Sequence, residues 1–256
     1  MSRPQGFENR MDNTLYIGLS RQMVLKREMD IVANNIANAD TTGFKFESLM
    51  TKENPGPPAF TLGGPRPIKF VSAAGVARDF AQGGLRRTEA PLDLAIEGKG
   101  FFKVNTKAGE RYTRDGRFRT DDTGRLTTQG GDVVADEGGG EITIDPAKVG
   151  EVTISADGVV SQGAERIGKV GVFDFASYSA LEKSGDNLYQ NASNQQAAPA
   201  TEAKLRQGML EGSNVNPISQ ITRMIEVSRA YEQITQMISA EADLSRNSVA
   251  RLGRLQ

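Results

Sequence analysis

The chain has 256 residues, and its 31 lysines and arginines against 32 aspartates and glutamates give a net charge of −1. It contains neither cysteine nor histidine. Their absence excludes disulfides, thiolate nucleophiles, and the commonest general base and metal ligand. Balanced charge argues against a nucleic-acid binder. We therefore expect no catalytic residues, no metal, no cofactor, no nucleic-acid partner and no small-molecule substrate.

The first residues are polar and carry no apolar run of the signal-peptide type. We expect residues 1–11 to form a disordered leader. No stretch of the sequence approaches the roughly 20 apolar residues of a membrane span, so we expect no membrane insertion.

The segment 12–50 is predicted to form a helix followed by a turn. Asp12 or Asn13 can cap the helix, and Gly43 is a stop signal after an expected end near residues 38–40. An apolar stripe recurs at steps of four, three and four, which places its members on one helix face. The stripe consists of Leu25, Met29, Val32 and Ile36.

Three asparagines, Asn34, Asn35 and Asn38, lie in the last turns of this predicted helix. Asparagine is a modest helix former, so its cost has to be offset. Two interpretations stand: the side chains hydrogen-bond across helices and fix their register, or they help to end the helix and face water.

The segment 51–67 is rich in proline, which has no backbone N–H and fixes φ. We interpret it as an extended linker. The segment 68–204 contains short alternating apolar runs and many glycine turns. Asp115-Gly116 and Asp157-Gly158 are dipeptides of the hairpin type. This pattern predicts a β domain, a sandwich or partial barrel.

The segment 205–256 contains a strong helix start, with Asn216 as N-cap and Pro217 at the first helical position. A second apolar stripe follows with heptad spacing; it consists of Met224, Val227, Tyr231, Ile234 and Ile238. The predicted fold is therefore α+β, with long N- and C-terminal helices of coiled-coil-like character flanking a central β-rich domain.

Both stripes need to be covered, and the sequence leaves the covering surface open. The helices can pack on each other or on the β domain. Alternatively, other copies or other proteins cover them, and the ends are then loose in the monomer and order on assembly.

Four blocks of sequence resemble the flagellar rod and hook protein family. Near the N-terminus lies VANNIANADTTGFK (32–45), and near the C-terminus lies LEGSNVN (210–216), followed by MIEVSRAYE (224–232). Two blocks of the central segment also match, PLDLAIEGKGFF (91–102) and YTRDGRF (112–118). The opening MDNTLY (11–16) favours a proximal-rod member over a distal-rod member.

The resemblance implies a structural subunit that the flagellar type III apparatus exports without a cleaved signal peptide. Such subunits stack helically in the basal body to form the torque-transmitting rod through the periplasm. The implied partners are other rod subunits and the export apparatus. We predict that both apolar stripes form the subunit interface. The family-motif residues in the N-terminal block are Asn34, Asn35, Asn38, Thr42, Gly43, Phe44 and Lys45.

Two other classes of protein are weighed against this one. An enzyme would have to use pairs such as Asp121-Asp122, which lie in glycine-rich turns where acidic neighbours are usually solvated. A secreted β-rich binding module would account for the central domain but would leave the terminal helices without a purpose.

Overall fold

The computed structural model describes the backbone of residues 8–61 and 64–252. Side chains are described for residues 15–55, 69–145, 147–148, 151–244 and 246–247. The chain divides into two compact units. Unit 1 comprises Met1–Ala37, Glu47–Arg78 and Asn216–Gln256, and unit 2 comprises Asn38–Phe46 and Asp79–Val215.

Unit 1 contains two long helices, α1 (Glu8–Ala37) and α2 (Pro217–Leu252). The predicted end of the first helix is confirmed, and so is the start of α2, where the Asn216 side chain accepts a hydrogen bond from the Ser219 N–H at 3.2 Å. The predicted cap at Asp12 or Asn13 is wrong, because α1 begins at Glu8. Of the predicted leader, residues 1–7 lie outside the described residues, and residues 8–11 belong to α1.

The two helices run antiparallel and are joined by polar contacts along their length. The Gln22 side chain donates to Thr235 at 3.0 Å, and the Asn35 side chain donates to Gln220 at 3.3 Å. As the residue number increases along α1, the number of its partner residue in α2 decreases, which is the pattern of an antiparallel pair. Neither helix, over its described residues, is apolar enough for its length to span a membrane.

A long β-hairpin completes unit 1, formed by β1 (Glu47–Thr61) and β2 (Gly64–Arg78). This corrects the predicted linker over 51–67 and also the predicted start of the β domain at residue 68. Proline is tolerated because a two-stranded ribbon has two free edges, where an N–H needs no partner. The register also shifts between Gly56 and Ala59, so Pro57 and Pro58 lie in a bulge.

Unit 2 is built from short antiparallel strands, as the sequence predicted for the central segment. The strands are β3 (Leu85–Arg87), β4 (Leu94–Glu97), β5 (Phe101–Thr106), β6 (Gly109–Thr113), β7 (Arg119–Thr120), β8 (Leu126–Thr127), β9 (Val133–Val134), β10 (Val152–Ile154), β11 (Val159–Gln162), β12 (Glu165–Lys169), β13 (Val172–Asp174), β14 (Leu181–Lys183), β15 (Leu188–Asn191), β16 (Ala198–Pro199), β17 (Lys204–Gln207) and β18 (Met209–Glu211). Two short 3₁₀ helices cover Pro146–Glu151 and Tyr178–Ala180.

The largest sheet has the order β14-β15-β6-β5-β9-β8-β7, with β13 pairing both β5 and β16. A second sheet contains β10, β11 and β12, and two further pairs join β17 to β4 and β18 to β3. Two apolar clusters form the core. One is aliphatic around Leu94, Ile142 and Val160, and the other is aromatic around Phe101 and Tyr189.

The end of unit 2 differs from the predicted boundary at residue 204, because β18 and the residues up to Val215 belong to this unit. Asp157-Gly158 forms the predicted hairpin between β10 and β11. Asp115-Gly116 does not, since the flanking β6 and β7 are not paired. Gly116 instead passes so close to β4 that a Cβ atom would lie 1.7 Å from the Leu94 carbonyl oxygen.

Candidate functional site

The two predicted apolar stripes are partly covered within unit 1, where α1 packs against α2 and against the strand pair of this unit. Leu25, Val32 and Val227 are buried. The other members are half-buried: Met29, Ile36, Met224, Tyr231, Ile234 and Ile238. Part of each stripe is thus already covered within one chain. Their role as a subunit interface stays a prediction.

Asn35 joins three elements of unit 1 and is fully buried, at 0% exposed. Its Nδ2 donates to the Glu47 carbonyl at 2.7 Å, and its Oδ1 accepts from the Glu47 N–H at 3.0 Å. The same Nδ2 also bonds Gln220 of α2. One side chain therefore fixes the start of β1 and the register of both helices.

The other two asparagines of the motif behave differently. Asn34 is exposed. The Asn38 Oδ1 accepts a hydrogen bond from the Thr41 hydroxyl at 3.1 Å, in the turn that follows α1. The cross-helix interpretation therefore holds for Asn35, while Asn38 serves the end of the helix.

A second apolar surface remains open on unit 1. On α2, Ile218, Ile221 and Ile225 are 76%, 50% and 47% exposed, and their spacing places them on one face, away from the buried Val227. On α1, Tyr16 and Met23 line an open groove of about 1060 Å³ beside residues 70–73 of β2. None of these residues was predicted as part of the interface.

The remaining motif residues form what we name the signature turn, residues 38–46 of unit 2. Gly43 has φ of +70°, the left-handed conformation that a stop glycine was expected to provide. A Cβ atom at Gly43 would also lie 2.6 Å from the backbone of Arg114. Its N–H donates to the Glu211 carbonyl at 2.8 Å. Two independent constraints thus require glycine here.

Lys45 enters a buried cluster of charges with Glu211 and Arg114. The Lys45 and Glu211 side chains are both 0% exposed, with Nζ and Oε1 2.6 Å apart. Arg114 Nη1 donates to the other carboxylate oxygen at 2.9 Å. The carboxylate also accepts from the Gly83 N–H at 2.9 Å. Burial lowers the pKa of the Lys45 ammonium, an effect that Glu211 opposes and Arg114 reinforces.

Thr42 and Phe44 are also buried in unit 2. The Thr42 carbonyl accepts from the Asn187 side chain at 3.1 Å, and the Lys183 ammonium lies 4.6 Å from the centre of the Phe44 ring. The Thr42 carbonyl, the Gly43 N–H and the Phe44 ring each contact another part of unit 2. Successive residues of the signature turn are therefore each held in place.

The C-terminal block meets the signature turn directly. The Asn214 Oδ1 accepts from the Phe46 N–H at 2.7 Å, and its Nδ2 donates to the Asp79 carbonyl at 2.8 Å. Glu211, Asn214 and Arg114 were not predicted as site residues. All three belong to the motif blocks, and this membership is the sequence signal that could have identified them. The sequence gives no signal for which residues they pair with.

The acidic turn residues that were considered for catalysis serve their own turns. No group of three or more acidic side chains in that part of the chain could hold a metal ion. The Asp121 carboxylate accepts hydrogen bonds from Thr123 and from Arg125 within its own turn. Those bonds hold the pKa of Asp121 well below its usual range, as expected for a structural turn residue.

Three family models match separate parts of the chain. Residues 15–45 match "Flagella basal body rod protein", and residues 206–252 match "Flagellar basal body rod FlgEFG protein C-terminal". Residues 95–162 match "Flagellar hook protein FlgE/F/G D1 domain". The first match includes residues 38–45 of the signature turn, and the second includes Glu211.

Comparison with whole proteins gives the same result. The flagellar basal-body rod protein FlgF of Caulobacter vibrioides is 56% identical over 96% of this chain and 100% of its own length. FlgF of Mesorhizobium japonicum is 32% identical over 95% of the chain and 99% of its own length. FlgG of Caulobacter vibrioides is 35% identical, over 82% of the chain and 88% of its own length.

The chain belongs to the family of flagellar basal-body rod proteins. It is a structural subunit of the rod and not an enzyme, which confirms the prediction made from its motifs. Within the family it is more similar to FlgF than to FlgG of the same Caulobacter strain, and this supports the expected proximal-rod type.

Proposed function

We propose that unit 1 is the assembly module of this rod subunit, and that it stacks helically against other rod subunits through its two terminal helices. The resulting rod is a stiff shaft that transmits torque. In this proposal the antiparallel pair of α1 and α2 acts in a coiled-coil-like manner, and neighbouring subunits supply the surface that a single chain lacks.

One observation carries the proposal: the large apolar side chains that remain exposed in the described part of the chain lie in unit 1. They are Tyr16, Leu19, Met23, Met50, Ile218, Ile221, Ile225, Met237 and Leu244. Exposed apolar residues gathered in one region mark an interaction surface. Unit 2 contains none of them.

The half-buried stripe members fit the same proposal. Met29, Met224 and Ile234 are half-buried and keep part of their surface open. A second subunit would complete their burial, and each fully buried apolar side chain contributes about 1.5–3 kcal/mol. The predicted interface is thereby extended to the Ile218, Ile221 and Ile225 face.

The proposal includes location and export. We place the subunit in the basal-body rod that spans the periplasm, delivered by the flagellar type III apparatus without cleavage of a signal peptide. Its family supports this location.

Replacement of Ile221 by aspartate tests the assembly surface. Ile221 is half exposed, so Ile221→Asp is expected to change the free energy of unfolding of the monomer by less than about 0.5 kcal/mol. The same charge in a buried subunit interface would be unpaired and costly. We therefore expect no swimming when the variant replaces the parent protein in its own bacterium.

The matched control is Gln233→Asp, which adds the same charge at an exposed polar position of α2. It should leave swimming intact. Normal swimming of Ile221→Asp, at parental protein levels, would show that this face is not an assembly surface.

A further inference from the structure

Unit 2 is assembled from two stretches that are far apart in the sequence, the signature turn and the segment Asp79–Val215. Two backbone donors of the signature turn have their partners in the last residues of the second stretch. The Gly43 N–H donates to the Glu211 carbonyl, and the Phe46 N–H donates to the Asn214 side chain. These two hydrogen bonds therefore depend on the C-terminal end of the unit.

The buried ion pairs also make the signature turn depend on the C-terminal segment. Lys45 and Arg114 are both buried, and Glu211 is the carboxylate that forms an ion pair with each of them in the described part of the chain. Asp79 attracts Lys45 only from a longer distance. Without Glu211, docking of the signature turn would bring two buried cations together without their shared ion-pair partner, which is strongly unfavourable.

The C-terminal segment also supplies two strands that pair with earlier strands of unit 2. Strand β17 pairs with β4, and β18 pairs with β3. The Gln207 side chain donates to the Pro91 and Val152 carbonyls at 2.7 and 2.9 Å. Residues 204–215 therefore supply strand partners, side-chain hydrogen bonds and the central carboxylate of the cluster at once.

We infer that Glu211 is a folding latch: the signature turn docks in unit 2 only when the C-terminal segment, residues 204–215, is in place. The inference rests on the proposed export of the subunit and takes its N-terminal part to enter the channel first. A chain whose last residues are still in the channel then keeps its signature turn undocked. Completion of unit 2 is thereby tied to completion of export.

Pulsed hydrogen exchange during refolding of the purified full chain tests the order of events. The Gly43 and Phe46 amides should become protected in the same kinetic phase as the Gly212 amide, which donates to the Gly84 carbonyl. Amides in the β5–β6 hairpin should be protected earlier or in that phase. Protection of Gly43 before Gly212 would overturn the inference.

Equilibrium exchange of Glu211→Gln tests the role of the charge. Removing one partner of a buried ion pair typically costs 3–5 kcal/mol, so exchange at Gly43 and Phe46 is expected to accelerate by about 100-fold or more. Exchange in β5 and β6 should stay near the parental rate. The matched control is Glu97→Gln, which breaks an exposed pair with Arg206 and should change rates by about fivefold at most.

A double variant distinguishes the latch from general loss of structure. Lys45→Met removes one of the two stranded cations, so Lys45→Met/Glu211→Gln should exchange more slowly at Phe46 than Glu211→Gln alone. Equal or faster exchange in the double variant contradicts the charge argument. Uniform deprotection of unit 2 by Glu211→Gln contradicts a local latch. These readouts use the monomer, so they stand or fall independently of the assembly test with Ile221→Asp.

Discussion

Gly43 shows how a single residue of a family motif is constrained. It combines a left-handed backbone conformation with a contact that leaves no room for a side chain beside Arg114. A stop glycine after a helix explains only the first of these. The second arises from packing against the bend that follows β6, more than 70 residues later.

We expect Gly43→Ala to destabilise unit 2 by about 2–4 kcal/mol, because the unfavourable φ and the backbone overlap add. Urea unfolding of the purified protein, followed by the circular dichroism of the β-rich unit, measures the change.

The control for this variant is Gly84→Ala. Gly84 lies in the same unit, its φ is not in the left-handed region, and a Cβ atom there would meet no other atom within 4 Å. It should change the unfolding free energy by less than about 0.5 kcal/mol. Equal stability of the two variants would show that Gly43 is not constrained as described.

The residue pairs of the site could not be predicted from the sequence. Lys45 and Glu211 are separated by 166 positions, and nothing in the spacing of either motif identifies the other as its partner. The motif blocks could be recognised one by one, and Gly43 could be assigned a left-handed conformation. Their convergence on one carboxylate follows from the strand pairing, which is non-local.

At the scale of elements, Asn35 connects α1, α2 and the hairpin through one amide group. An apolar seam alone permits helices to slide by a heptad, since equivalent positions then still meet. A buried amide with fixed partners does not permit this. Asn35 therefore specifies the register that the stripes leave open.

Asn35→Ala is expected to destabilise unit 1 by about 2–4 kcal/mol, because the two hydrogen bonds that the buried Asn35 side chain makes to the Glu47 N–H and C=O would be lost. Hydrogen exchange should accelerate most at the Glu47 amide and at amides of the adjoining hairpin.

Asn247→Ala is a suitable comparison, because Asn247 is exposed on α2. It should leave exchange in the hairpin unchanged. If Asn35→Ala also left the Glu47 amide protected, the hydrogen bonds of Asn35 would not be what holds β1 in place.

The helices were predictable and the hairpin was not. The end of α1 and the start of α2 depend on local signals, such as Asn216-Pro217, that act within a few residues. The hairpin residues carry prolines that are incompatible with a central strand but compatible with an isolated ribbon and its bulge. Proline content alone does not separate these two cases, so the sequence predicts a linker over 51–67 where the structure has a hairpin.

For the whole molecule, the division into two units separates two tasks. Unit 2 has an aliphatic and an aromatic core and no exposed large apolar side chain among its described residues. Unit 1 relies on a helix pair whose stripes are only partly covered. The described apolar core thus lies mostly in unit 2, and the large apolar side chains that stay exposed lie in unit 1.

This division predicts the effect of Ile234→Asp, which introduces a charge into the half-buried stripe of α2. We expect protection of unit 1 amides to fall by the equivalent of about 2–4 kcal/mol. Unit 2 amides should keep their protection, because the aliphatic and aromatic clusters are untouched. Residue-resolved hydrogen exchange on the monomer measures both.

Gln236→Asp, at an exposed position of the same helix, controls for the added charge. Amide protection in both units of this variant should equal that of the parent protein. A loss of protection shared equally by unit 2 would mean that the two units do not fold separately.

The burial of Lys45 has a chemical consequence. An amine-reactive reagent needs a free, accessible amino group, and the Lys45 ammonium is enclosed and paired with a carboxylate. Exposed lysines such as Lys26 and Lys107 offer no such barrier. The acylation of Lys45, read by mass spectrometry against these two, would therefore report whether unit 2 is closed in an unaltered protein, including one inside an intact rod.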